Sequence, residues 1–178
     1  MNENDSLQDD RLEQAYGRML QKVSEDLEAL SDRSSVALND LLENARKEVV
    51  DAEHLNADEA DRVTEYVRRD LHDLGAFLES GTQDWRDWLR IDLALIEASL
   101  LNALNTVADR TKVELAHLAA RAYRVGEWHT GEVTGPGELT CLSCGGTMHL
   151  SRVGKIPPCP HCRHTRFHRG GPAPEGSE

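Results

Sequence analysis

The stretch "CLSCGGTMHLSRVGKIPPCPHC", residues 141–162, contains all four cysteines of the chain. They form two CxxC pairs, Cys141/Cys144 and Cys159/Cys162, separated by the spacer 145–158. Two residues between thiolates let one tight turn present both sulfurs to one ion, and two such turns complete a tetrahedron. The spacing therefore predicts one structural Zn2+ per chain, held by Cys141, Cys144, Cys159 and Cys162. Zinc then replaces the apolar core that so small a β-module cannot build.

The neighbouring residues agree. Gly145 and Gly146 let the chain leave the first turn, Pro160 stiffens the second, and Pro157–Pro158 lead into it extended. "TMHL" (147–150) and "TRFHR" (165–169) alternate as short strands do. Four thiolates on Zn2+ leave a formal charge of −2, which Arg152, Lys155, Arg163, Arg166 and Arg169 can offset. No acid lies between Leu139 and Gly170, so the same five residues form a candidate nucleic-acid or partner surface.

Read alone, "CPHC" also resembles a thiol–disulfide oxidoreductase motif, which sits at a helix N-terminus within a βαβ frame. Here only residues 163–178 follow it, and the chain before Cys141 reads as helical. His149, His161, His164 and His168 crowd the ribbon. With four softer thiolates available they are expected to be exposed polar residues rather than ligands. His54, His72 and His117 are expected at surfaces or helix ends.

Upstream the composition changes. All 6 Pro and ten of the 13 Gly fall after residue 125. Apolar residues at three- and four-residue spacing predict helices over about 7–30, from about Ser35 to Glu53, and from "NADE" (56–59) to near Gly81. "NADE" is close to a capping box. A fourth helix is expected from about Thr82 to Val125. Its stripe through Leu89, Leu93, Ile96, Leu100, Leu104 and Val107 steps near the 3.5-residue average of a coiled-coil seam. Trp85 and Trp88 read as packing residues on one helical face.

The expected fold is mainly α: an elongated antiparallel helical hairpin or bundle with a small C-terminal β zinc ribbon. The boundaries are 1–128 for the coiled-coil-like helices, 129–138 for a connector, 139–170 for the ribbon and 171–178 for a disordered tail.

A net charge of −12 works against general attraction to nucleic acid or anionic membranes. "MNENDSLQDDRLEQ" lacks the basic start and apolar run of a signal peptide, and no run of about 18 apolar residues occurs. A cytoplasmic protein without membrane contact is expected. No P-loop, dinucleotide glycine motif or nucleophile–base signature stands out. Four cysteines close the coordination that a catalytic zinc keeps open. No enzyme and no small-molecule substrate are expected.

"HTGEVTGPGELTCLSCG…IPPCPHCRHTRFHR" resembles the C-terminal ribbon of the YbeL-type bacterial zinc-ribbon proteins. The match rests on His129, Gly131, Glu132, Val133, Gly135, Gly137, Leu139, the four cysteines, Pro160, Phe167 and Arg169. "YVRRDL" (66–71) is similar to the helical part of that family. The resemblance implies the same four ligands and no particular reaction. "HTGEVTGPGEL" itself reads as a connector docking the ribbon on a helix end, with Trp128 and Val133 as apolar contacts. A functional surface around His129 and Glu132 is the alternative. The expected role is a non-enzymatic interaction or adaptor module whose partner is another protein or a second copy. Nucleic-acid, ribosome or transcription-associated binding through the basic face is one alternative, and a redox- or zinc-responsive regulator is another.

Overall fold

The computed structural model describes residues 3–29, 38–79, 84–90, 92–110 and 126–169. The expectations for Ser35, Gly81, His117, residues 111–125 and the tail lie outside them.

Helix α1 (Glu3–Ala29) buries Leu12, Tyr16, Met19, Leu20, Val23 and Leu27 along one face. Helix α2 (Leu38–Glu53) contributes Leu41, Leu42, Ala45 and Val49. Helix α3 (Ala57–Glu79) contributes Val63, Val67, Leu71 and Leu74. The start of α3 is a reciprocal capping box. Asn56 Oδ1 accepts the Glu59 N–H at 2.9 Å, and Glu59 Oε2 accepts the Asn56 N–H at 3.0 Å. Gln8 and Arg11 of α1 also donate to this buried Glu59, at 2.7 and 3.2 Å. One carboxylate thus caps α3 and fixes it against α1.

The expected long fourth helix is broken. Helix α4 covers only Trp85–Leu89, capped by Asp84, whose side chain accepts the Arg86 N–H at 3.0 Å. Arg90 then turns left-handed (φ 53°), and Asp92 caps a 3-10 turn over Leu93–Leu95. Helix α5 (Ala98–Arg110) follows. The apolar stripe exists, since Leu89, Ile96, Leu100, Leu104 and Val107 are all buried, but it is divided between α4, the connection at Ile96 and α5. Asp84 and Asp92 bond backbone N–H groups two residues on, which favours new helix starts over continuation. Helix α1 is central, packing against α2, α3 and α5.

Six short strands follow: β1 (Trp128–His129), β2 (Val133–Thr134), β3 (Gly137–Cys141), β4 (Thr147–Leu150), β5 (Gly154–Lys155) and β6 (Arg166–Arg169). An antiparallel sheet has the order β1-β6-β3-β4, and β2 pairs separately with β5. A small core of Trp128, Leu139, Cys141, Met148, Ile156, Cys159 and Phe167 fills the ribbon. Val133 instead joins the helical core, and Val153 packs against that core too. No helix among the described residues is long and apolar enough to cross a membrane.

Candidate metal centre and the clasp beneath it

The two CxxC turns are built alike. The Cys141 N–H donates to Gly146 C=O at 2.9 Å, and Cys141 C=O accepts the Gly145 N–H at 3.0 Å. The Cys159 N–H donates to His164 C=O at 2.9 Å, and Cys159 C=O accepts the Arg163 N–H at 2.9 Å. Gly145 (φ 68°) and Arg163 (φ 61°) occupy the same left-handed position in the two turns. Each turn therefore has the same shape, and the pair faces sulfur to sulfur.

All four sulfurs lie within 4.8 Å of one another. Cys141 and Cys162 Sγ are 3.6 Å apart, and Cys144 and Cys159 Sγ are 3.7 Å apart. Zn–S bonds of about 2.3 Å place tetrahedral sulfurs roughly 3.8 Å apart, so the set fits zinc. Cys141 and Cys159 are buried, whereas Cys144 and Cys162 are exposed.

The thiols are poised unequally. At Cys144 the Gly146 N–H favours the thiolate, but the facing Cys162 sulfur, desolvation and the other thiols push its pKa up to about 12. At Cys159 desolvation opposes ionisation, yet the Cys162 and His161 N–H groups and the Cys144 and Cys162 thiols bring the pKa down to about 6. Crowded sulfurs share protons because four adjacent thiolates repel. A bound dication relieves that repulsion.

Behind the ribbon lies a second polar centre that the sequence reading did not anticipate. Asp70 of α3 is 2% exposed. Its Oδ2 accepts from Tyr16 Oη at 2.6 Å, Thr134 Oγ1 at 2.6 Å and the Gly135 N–H at 2.9 Å. Its Oδ1 accepts from Trp128 Nε1 at 2.9 Å and Arg69 Nε at 3.0 Å. Burial works against ionisation of Asp70, but Arg69, Arg169 and these donors hold its pKa below the usual value. Tyr16 is driven the other way, first by burial and then by the neighbouring carboxylate.

Arg169, at the end of β6, faces the same centre. It donates to Pro136 C=O at 2.7 Å, Thr134 Oγ1 at 2.7 Å and Gly135 C=O at 3.2 Å. Its guanidinium carbon lies 4.4 Å from the Trp88 ring centroid. A Cβ at Gly137 (φ 145°) would collide with this guanidinium, which accounts for glycine there. Arg69 donates to Glu132 Oε2 at 2.5 Å and Val133 C=O at 3.2 Å, and stacks 4.9 Å over Trp128. Glu132 also accepts the His129 N–H at 2.9 Å. Glu132 is thus held in the clasp, and "HTGEVTGPGEL" docks along α1 and α3 through polar bonds as well as through buried Trp128 and Val133.

The five basic residues of the candidate surface separate. Arg152, Arg163 and Arg166 are exposed. Arg169 is not on that surface, because the clasp requires its guanidinium indoors. Lys155 is tied to α1: its Nζ contacts both Asp9 carboxylate oxygens at 2.8 Å, and its N–H donates to Glu13 at 3.0 Å. Two histidines also differ from expectation. His168 and His72 are buried, at 9% and 4% exposure, because strand β6 and helix α3 turn these positions inward. His149 is exposed, with Nε2 2.9 Å from Glu138, and His54 sits at the end of α2 as expected, with φ 53°. Trp88 is buried, and its Nε1 donates to Asp73 at 2.7 Å.

One signal for the clasp was present. Asp70 falls on the apolar register Val63, Val67, Leu74 of α3, where an acid requires buried partners.

Comparison with known proteins agrees with this geometry. A family model described as a zinc-ribbon containing domain matches residues 4–170. The uncharacterized protein YbeL of Escherichia coli strain K12 is 30% identical over 129 residues, covering 72% of this chain and 79% of the relative. The proteins of that name from Escherichia coli O6:H1 and O157:H7 match equally. No solved structure matches the chain. Cysteines gathered at zinc spacing and a family match over both helices and ribbon lead to one conclusion: the chain belongs to the YbeL-like zinc-ribbon family, with one structural zinc.

Proposed function

We propose that the chain is a non-enzymatic interaction protein in which Cys141, Cys144, Cys159 and Cys162 hold the zinc and the helices present the ribbon in a fixed orientation. The observation that carries this reading is the two-sided character of the ribbon. One side is bonded to α1 and α3 through Asp70, Arg69 and Lys155, with Arg169 ion-paired to Asp70. The opposite tips, around Ser143–Gly145 and Pro160–Arg163, are exposed. A closed four-sulfur shell offers no coordination position for chemistry. A fixed, exposed tip suits recognition.

A photo-crosslinking residue at Ser143 or Thr165, both exposed and outside the ligand set, tests this in cells. A discrete crosslinked macromolecule at the tip, missing when the same residue is placed at exposed Glu43 of α2, is expected. Equal labelling at both places would overturn the reading. A crosslinked RNA or DNA would transfer it to nucleic-acid recognition, which keeps Arg152, Arg163 and Arg166 but loses Arg169 to the interior.

A further inference from the structure

We propose that zinc occupancy is relayed into the helical bundle through β6 and Arg169, so that metal loss loosens α3 and the facing part of α1 as well as the ribbon. The inference takes the four-cysteine site as given and goes beyond its structural role.

The relay begins at the sulfurs. Zinc ties the end of β3, at Cys141, to the turn that feeds β6, at Cys159 and Cys162. Strand β6 is four residues long. It pairs with β3 through Leu139↔Arg169 and Cys141↔Phe167, and with β1 through Trp128↔Phe167. Its apolar support is a core of seven residues, two of them ligands. So small a core does not hold a sheet by itself. Without the metal, β6 and the β1 strand paired to it lose their anchor.

Arg169 on β6 supplies the cation over Trp88 and the donor to Thr134. Trp128 on β1 supplies a donor to Asp70. Thr134 and Gly135, in the segment β6 braces through Arg169, supply two more. Only Tyr16 and Arg69 among the named donors to Asp70 come from the helices. A buried carboxylate stripped of most of its donors cannot stay dry, so water must enter between α1 and α3. Helix α2 packs on α1 and α3 rather than on this centre, which makes it the internal reference.

Hydrogen–deuterium exchange of the full chain, zinc-loaded against chelator-stripped, tests the relay. Amides of residues 66–74 in α3 and 13–20 in α1 should exchange at least about a hundredfold faster without zinc, while those of 41–49 in α2 change far less. Acceleration confined to 126–169 would sink the proposal. Equal acceleration in α2 would also sink it, since that is global unfolding. A second arm uses Arg169→Met, which keeps an unbranched apolar side chain. Coupling is reciprocal, so this variant should bind zinc at least about tenfold more weakly in a chelator competition. Its zinc-loaded form should show faster exchange at 66–74. A variant equal to the parent in both measures excludes Arg169 as the link. Native mass spectrometry separates this failure from that of the site itself: a parent chain with no zinc and four free thiols would refute the ligand set instead.

Discussion

The helical bundle and the ribbon are held together by different forces. The bundle buries Leu, Val and Ala faces from α1, α2, α3 and α5 in one continuous core. Its stability is spread over many side chains rather than held at one point. The ribbon has a core of seven residues and concentrates its stability at four sulfurs. Where the two meet, neither solution applies. The contact relies on a buried, fully bonded carboxylate, with aromatic rings and arginines around it. An interface of that kind is specific because its donors and acceptors must meet in one geometry, and it is fragile for the same reason.

The sharpest break in this comparison is Cys159→Ser. Structural zinc is worth about 10–16 kcal/mol of apparent binding energy in small metallo-modules, so the variant should lose zinc and ribbon order. Native mass spectrometry should show no bound metal, and indole fluorescence should report exposure of Trp128. Retained stoichiometric zinc would mean another residue completes the shell.

Next in size is Asp70→Asn. It removes the buried counter-charge of Arg169, leaves Arg69 with Glu132 alone, and should cost about 3–5 kcal/mol in urea unfolding. A cost near zero would mean the clasp adds nothing to folding. Leu42→Ala, in the fully buried stripe of α2, should cost about 2–5 kcal/mol while leaving zinc affinity unchanged. A change in zinc affinity there would erase the distinction between the two regions.

A smaller effect concerns pH, and two carboxylates three residues apart behave oppositely. The folded pKa of Asp70 is depressed, so its stabilising contribution is present above the unfolded pKa and is lost as pH falls through the folded value. Asp73 has its pKa raised by burial, although the Trp88 N–H pulls it down. Its contribution is present below the unfolded pKa and is lost as pH rises through the folded one. Carboxyl NMR titration should place Asp73 above the ordinary aspartate value and Asp70 below it. Asp73→Asn should gain on the parent in stability as pH rises across that range. The same order of titration for both groups would refute the burial argument.

The smallest test compares the matched turns. Arg163→Gly relieves a left-handed non-glycine residue and should stabilise by up to about 1 kcal/mol, whereas Gly145→Ala should destabilise by a similar amount. Both can be read from thermal midpoints at fixed zinc.

The two regions were also unequally legible. CxxC spacing is a local code, and it yielded a cluster of four sulfurs because a turn geometry links sequence distance to spatial distance. Apolar periodicity yielded α1, α2 and α3 for a similar reason, and "NADE" yielded a capping box whose bonds are the expected ones. The uninterrupted helix after Thr82 failed because the stripe alone was weighed. Asp84 and Asp92 prefer to bond nearby backbone N–H groups, and a left-handed Arg90 separates them. Arg169 was misplaced because a cation in a polar stretch looks solvent-facing in one dimension, whereas Lys155 is exposed and also paired with α1. Only the fold brings Thr134, Trp88 and Asp9 to meet them.

Val133 shows what this arrangement means for inheritance. It leaves the ribbon's own core and lodges among the helices, while the neighbouring Thr134 and Gly135 satisfy an acid on α3. A ribbon cut out at residue 126 would take with it an apolar side chain and several polar groups fitted to a surface left behind. Many small zinc modules can be moved between proteins as cassettes. This one can be transplanted only together with the α1–α3 face that receives it. Descent should therefore pass the two down as a pair, and a gene fusion carrying the cysteines alone would carry the metal without the seat.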